Sequence, residues 1–396
     1  MIIYLFLFLV ALGCVNLLTP LSMKIAAKIG AVDIPTDRKV HKTPSPRLGG
    51  AAVILSVAIS LLLGAAVNVY IPQVLSTSLV GMLMGSVVII AVGLWDDTHN
   101  ANPLVKLACQ FIAASIAVYM GVQFELASNP LVAGTRDYFD LGLLAFPLSV
   151  LWIVGLTNAM NLIDGLDGLA CGIALFTSLT LFLISVNIEA GEVTYFYIAL
   201  AGATLGFLRY NRFPAKVFLG DTGSMFLGFT LGCLSTTGFQ KSFALSSLIV
   251  PVIIFGIPIF DAVVALARRY MNNKGITTAD REHLHHRLLD LGLSQRQTVL
   301  LLYFITVLLG IIAFAFTVQL NEYAAVIIVV IGVLGGLLAK ELNLFGTKPT
   351  QTEREYKYVQ KQRSLFDKTL EEHGAEEQSV GETMASTVGR IPEEVG

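Results

Sequence analysis

A chain of 396 residues that is 55% hydrophobic and only 14% charged, with mean hydropathy +0.73, is too apolar for a soluble globular domain and belongs in a bilayer. Its net charge of −2 identifies no class of partner, and no nucleic-acid partner is expected. The cysteines, Cys14, Cys109, Cys171 and Cys233, sit singly inside apolar runs, which excludes a disulfide framework and a cysteine metal cluster.

Apolar runs near twenty residues, long enough to cross a hydrocarbon core of ~30 Å, recur at 2–23, 48–69, 75–95, 103–123, 140–161, 168–187, 194–210, 223–240, 245–267, 298–319 and 323–340. They predict an all-α fold, a polytopic membrane helical bundle of about eleven transmembrane helices. Residues 1–345 form the membrane-embedded domain, and 346–396 a polar, mobile tail with one short helix near 353–371. The first run has neither a basic start nor a small-residue cleavage pattern, so it reads as a retained span. Every Lys and Arg except Arg136 and Lys241 falls in an odd-numbered connection, at the cytoplasmic end of a neighbouring span, or in the tail. The positive-inside bias therefore puts the N-terminus outside and the C-terminus in the cytoplasm.

The polar motifs follow the same division. Residues 35–50 carry Arg38, Lys39, Lys42 and Arg47 between prolines and end in Gly49-Gly50. A positive-inside loop would explain the charge, and the stiff Pro-x-Pro segment adds a shaped anion site. Asp96 and Asp97 close the third span; adjacent carboxylates repel, and a cation or a shared proton offsets the cost. A solvated loop capping the next helix is the alternative there. Lys106, just inside the fourth span, either snorkels to the interface or presents an ammonium to a phosphate.

Asn158 precedes Asn161, Asp164 and Asp167, which lie three apart and in a helical turn would share one face, and Gly165 and Gly168 leave room for a ligand. Asn and Asp oxygens without Cys or grouped His suit a hard cation such as Mg²⁺, and hence phosphate chemistry. Helix capping would account for one Asn and one Asp. Glycines flank Asp221 and Thr222 at the start of the eighth span, where backbone N–H groups favour anions and Asp221 is placed to hold a metal; an N-cap is the alternative. Asp261 is the main ionisable residue in midspan, a site candidate with a structural alternative. Beyond it, His283, His286 and Arg287 fall on one helical face, suited to phosphate, ribose or sugar. Zinc is the competing ligand, but the spacing matches no standard site. The opposite connections hold nothing comparable, and a composite active site on the cytoplasmic face is expected.

In combination these motifs resemble the polyprenyl-phosphate N-acetylhexosamine-1-phosphate transferase superfamily over residues from about 33 to 290. The Asp-Asp motif matches Asp96 and Asp97, and Lys-Leu-x-x-Gln matches Lys106, Leu107 and Gln110. Asn-x-x-Asn-x-x-Asp-Gly-x-Asp-Gly matches Asn158 to Gly168, and Phe-x-Gly-Asp-x-Gly-Ser matches Phe218 to Ser224. His-Leu-His-His-Arg (283–287) and the Val32–Gly50 loop look like the GlcNAc-1-phosphate branch. The phospho-MurNAc-pentapeptide branch, the alternative, usually shows three consecutive histidines followed by Phe-Glu.

The resemblance implies transfer of GlcNAc-1-phosphate from UDP-GlcNAc to undecaprenyl phosphate, with release of UMP, in the bacterial inner membrane. The product would start an O-antigen, common-antigen or teichoic-acid-type polymer. The implied catalytic residues are Asp96, Asp97, Asp164 and Asp167. The substrate-binding set is Arg47, Lys106, Asn158, Phe218, His283, His285, His286 and Arg287. Asn161 and Asp221 would hold Mg²⁺, with Mn²⁺ as the substitute. The partners are UDP-GlcNAc, undecaprenyl phosphate and the lipid bilayer, with a homodimer left open. An ion-coupled transporter is the rival of a different class. Transporters place their binding residues near the midplane, whereas these carboxylates cluster at span ends.

Overall fold

The computed structural model describes residues 1–33, 44–67, 76–124, 126–128, 138–239, 246–272 and 283–318. Among them the helices are α1 (Ile2–Ile29), α2 (Gly49–Val67), α3 (Thr77–His99), α4 (Pro103–Tyr119), α5 (Ala145–Ile163), α6 (Leu169–Asn187), α7 (Val193–Asn211), α8 (Gly220–Phe239), α9 (Ser246–Ile254), α10 (Gly256–Met271), α11 (Leu284–Asp290) and α12 (Gln295–Val318). Two short antiparallel ladders join β1 (Val32–Asp33) to β2 (Ser45–Pro46) and β3 (Leu126–Ser128) to β4 (Tyr138–Asp140). Six of the described helices are long and apolar enough to cross a membrane, and the chain is an all-α membrane protein. The expected span at 323–340, the tail at 346–396 and the cations Arg38, Lys39 and Lys42 lie outside the described residues.

One expected span is corrected. The run at 245–267 is two helices, α9 and α10, that part at Phe255. A continuous helix would need an N–H from Pro258 to the Ile254 carbonyl. Proline has none, and its ring would collide with that carbonyl. Restarting at Phe255 puts Pro258 in a first turn, where the missing donor costs nothing.

Helix α8 is the hub. It packs on α2, α3, α5, α6, α7 and α9, and every residue from Thr222 to Thr236 is buried. Lipid tails are as apolar as side chains, so helices in a bilayer associate through close packing of small residues. Gly228 of α8 lies so close to α5 that an added Cβ would sit 2.6 Å from the Leu156 carbonyl oxygen. Gly50 of α2 meets Gly223 backbone to backbone, and Gly93 of α3 leaves 2.5 Å between an added Cβ and the Thr222 Cα. The first turn of α8 is therefore wedged between the ends of α2, α3 and α5.

Candidate active site

The α8 start gathers the charges. Gly220 has φ of 73°, a backbone that glycine adopts without strain, and the turn opens directly onto Asp221. The Asp97 carboxylate reaches across from α3. Its Oδ1 accepts the Asp221 N–H at 2.8 Å, and its Oδ2 accepts the Thr222 N–H at 3.0 Å and the Thr222 hydroxyl at 2.5 Å. The anion that satisfies the first amides of α8 is thus the protein's own side chain. This corrects the expectation of an open anion site at those amides. It also argues against the solvated-loop alternative at Asp97, since the residue is 6% exposed.

Asp96, one residue earlier, turns the other way. Its Oδ1 accepts the Ala101 N–H at 2.7 Å, and its Oδ2 accepts Lys106 Nζ at 3.0 Å. The same ammonium lies 2.6 Å from Asp221 Oδ2. Lys106 therefore bridges two carboxylates, at the end of α3 and the start of α8, and does not snorkel away. Asn161, on the last turn of α5, contacts the Asp221 carboxylate and donates to Ser224 Oγ at 2.9 Å. Asn158, one turn earlier, donates to Gln110 Oε1 at 2.5 Å, so it lines up α4 against α5.

The shared helical face expected for Asn161, Asp164 and Asp167 does not form. Helix α5 ends at Ile163, and Asp164 is its cap residue. A turn follows, ending at Gly168 with φ of 81°. Asp167 is directed to the α7–α8 connection, where it accepts the Ala215 N–H at 2.9 Å. Asp164 remains near Asp221, Asp97 and Asp167; burial and those three negative charges hold its carboxyl well above the usual carboxylate range.

Comparison with known proteins identifies the family. The pattern of glycosyl transferase family 4 matches residues 79–239, which contain the whole α3–α4–α5–α8 cluster. A probable undecaprenyl-phosphate N-acetylglucosaminyl 1-phosphate transferase of Bacillus subtilis is 42% identical over 308 residues, 77% of this chain and 83% of the relative. A decaprenyl-phosphate N-acetylglucosaminephosphotransferase of Mycobacterium tuberculosis is 37% identical over 73% of this chain and 76% of its own length. A phospho-N-acetylmuramoyl-pentapeptide-transferase of Endomicrobium trichonymphae is 32% identical over 70% and 81%. The chain belongs to glycosyl transferase family 4.

Outside the matched region the transferase chain adds two elements to the site. At the β2 end, Arg47 pairs with Asp33, and its carbonyl lies against Gly220. Phe218 N–H donates to the Pro46 carbonyl at 2.8 Å, and Gly49 N–H returns to the Phe218 carbonyl at 3.0 Å. The residues before α2 thereby brace the approach to Asp221.

On the other side, Asp261 of α10, 3% exposed, accepts the Leu284 N–H at 2.7 Å and pairs with His283 Nδ1 at 3.0 Å. Helix α11 consequently begins at Leu284, and His283 is its extended N-cap residue. That corrects the single helical face expected for His283, His286 and Arg287, because His283 lies outside the helix. The His283 and His285 rings stack instead, 5.8 Å apart, and His286 tilts against His285 at 4.3 Å. His285 lies directly over Gly165, which brings the histidine segment onto the Asp164–Gly168 turn; Arg287 is buried beside it. Among the described residues no group of three or more His, Cys, Asp or Glu is placed to hold a metal.

Tyr303 of α12 was not foreseen. Its hydroxyl donates to the Gly168 carbonyl at 2.6 Å, and its ring fills the space above Gly172. The available signal was the pair Gly168 and Gly172, one helical turn apart, which clears a groove for a large side chain from a neighbour.

Proposed function

We propose that this protein transfers N-acetylglucosamine 1-phosphate from UDP-GlcNAc to a polyprenyl phosphate and releases UMP. The observation that carries the reading is Lys106, held between Asp96 and Asp221 where α3, α4, α5 and α8 meet. The names of the Bacillus and Mycobacterium relatives support the sugar phosphate and the prenyl acceptor. An oxygen of the lipid phosphate forms a bond to the β-phosphorus of UDP-GlcNAc. The bond from that phosphorus to the bridging oxygen breaks, and the electron pair leaves with UMP. Two anions approach in this step, so neutralising and positioning them is most of the catalysis.

The donor set suits Mg²⁺. Asp221 and Asn161 supply two hard oxygens and would hold it, with water and substrate phosphates as its other ligands. Bound there, Mg²⁺ would neutralise diphosphate charge and stabilise the departing UMP. Lys106 exchanges one carboxylate partner for a substrate phosphate and carries positive charge to it. Asp96 retains the other contact and fixes the ammonium. A phosphate monoester with second pKa of about 6 is already mostly dianionic at neutral pH, so the acceptor needs no strong base; direct displacement is favoured over an aspartyl-phosphate intermediate. Asp164 lines the site from the α5 end, and Asp167 holds the turn that carries it. His283, His285, His286 and Arg287 take the nucleotide-sugar side, and Arg47 stands at the α8 entrance.

The same reading puts about eleven spans in the inner membrane, with the site on the cytoplasmic face, where UDP-sugars are made. The lipid-linked product would then begin a cell-envelope polysaccharide. Purified protein with undecaprenyl phosphate and Mg²⁺ should release UMP from UDP-GlcNAc, and excess EDTA should stop it. Preference for UDP-MurNAc-pentapeptide would move the chain to the branch of the Endomicrobium relative, and full activity in EDTA would remove the metal.

A further inference from the structure

The two adjacent aspartates of α3 are in different chemical situations. Asp96 faces Lys106 and the site. Both oxygens of Asp97 are engaged by the first residues of α8: Oδ1 by the Asp221 N–H, Oδ2 by the Thr222 N–H and hydroxyl. Gly220 covers the same two oxygens, since an added Cβ there would sit 2.7 and 2.8 Å from them. Thr222 is wholly buried and Asp97 nearly so. A group so enclosed has no approach to a lipid phosphate, but it fixes the backbone of Asp221 itself.

We propose that Asp97 and Thr222 form a clamp that positions the Asp221 carboxylate, and that Asp97 neither accepts a proton from the acceptor nor binds metal directly. The inference rests on the reading of Asp221 as the metal-holding residue. A charged carboxylate taking two successive amides at a helix start is a strong cap. Here it arrives from another helix, so it sets the first turn of α8 relative to α3 and, through Asp96, relative to Lys106. Thr222 supplies the third donor through a side chain, which makes the clamp testable without touching a carboxylate. Valine at 222 keeps the shape and loses only the hydroxyl. Serine keeps the hydroxyl.

The experiment uses the full-length protein in detergent with Mn²⁺ as the probe, its free fraction read by electron paramagnetic resonance in the absence of substrate. Thr222→Val should weaken Mn²⁺ binding roughly tenfold, the size of one hydrogen bond to a charged group. The apparent Mg²⁺ requirement in turnover should rise in parallel, with KM for UDP-GlcNAc changing much less. Thr222→Ser should restore both. Wild-type Mn²⁺ affinity in Thr222→Val would overturn the clamp, as would an equal rise in KM and metal requirement. Asp97→Asn places an NH₂ group against backbone donors. Hydrogen exchange of the Asp221 and Thr222 amides in this variant should accelerate by about tenfold or more, whether or not metal binds. If wild-type protein binds no Mn²⁺ that Asp221→Asn abolishes, the metal reading fails, and the exchange measurement alone decides the clamp; unchanged protection would refute it.

Discussion

The starts of α8 and α11 are built by the same device and used for different ends. In each, a buried aspartate from another helix takes an amide of the first turn: Asp97 of α3 at Asp221, and Asp261 of α10 at Leu284. The difference lies in the second partner. Asp97 takes a neutral hydroxyl, Thr222, and so leaves the neighbouring Asp221 carboxylate to Lys106 and the site. Asp261 takes the imidazole of His283 and draws the stacked histidines over the Asp164–Gly168 turn. One cap presents an acidic group, the other a set of basic and aromatic ones. A reaction that moves a sugar phosphate from a nucleotide diphosphate to a phosphate acceptor needs both kinds of surface, held at fixed positions.

Variants at the two starts should separate accordingly. Asp221→Asn keeps size and polarity but removes the charge facing Lys106. Turnover should fall by orders of magnitude with thermal stability nearly intact, measured by UMP release and a melting scan. A normal rate in whatever protein stays folded would make Asp221 structural and dissolve the contrast. Asp261→Asn should act on the other surface. We expect KM for UDP-GlcNAc to rise roughly tenfold, the loss of one charged contact, while the Mg²⁺ requirement stays put. A shifted Mg²⁺ requirement would mean that the two starts are one unit.

Asp164 lies between them, and its carboxyl titrates well above its usual value of 3.8. A carboxyl raised in the folded state binds more protons there than in the unfolded chain, so its ionisation lowers stability as pH rises above that value. In EDTA, Asp164→Asn should therefore melt higher than wild type at neutral pH, and the gap should shrink on acidification towards 3.8, even though turnover is lost. A lower melting temperature at neutral pH would show a structural carboxylate. The smallest effect belongs to Tyr303→Phe, which removes only the hydroxyl on the Gly168 carbonyl. It should cost about 1 kcal/mol of stability and only a few-fold in turnover. A loss as large as that of Asp221→Asn would place Tyr303 in the chemistry.

Much of this was legible in the sequence because hydropathy and motif spacing are local properties. The apolar runs locate α1 to α8 and α12, and the residue types of the Asp96, Asn161 and Asp221 motifs suit hard cations and phosphate. The break at Phe255 was also open to reading, since Gly256 and Pro258 together favour an interruption there. What spacing could not deliver was direction. Asn161, Asp164 and Asp167 keep a spacing of three, yet α5 stops at Ile163 and the two aspartates diverge. His283 lies one residue outside its helix because Asp261 sets where that helix begins. The partner of Asp97 is 124 positions away, and only the packing of α3 on α8 through Gly93 and Thr222 brings it near.

Transfer of sugar together with its phosphate is decided by which bond breaks. Purified protein in Mg²⁺, given UDP-GlcNAc labelled with ³²P at the β-phosphate and undecaprenyl phosphate, should move the label into the lipid and release unlabelled UMP in equal amount. Label remaining in the nucleotide, with UDP as the product, would mean that sugar is transferred without its phosphate and would rule out a sugar-1-phosphate transferase.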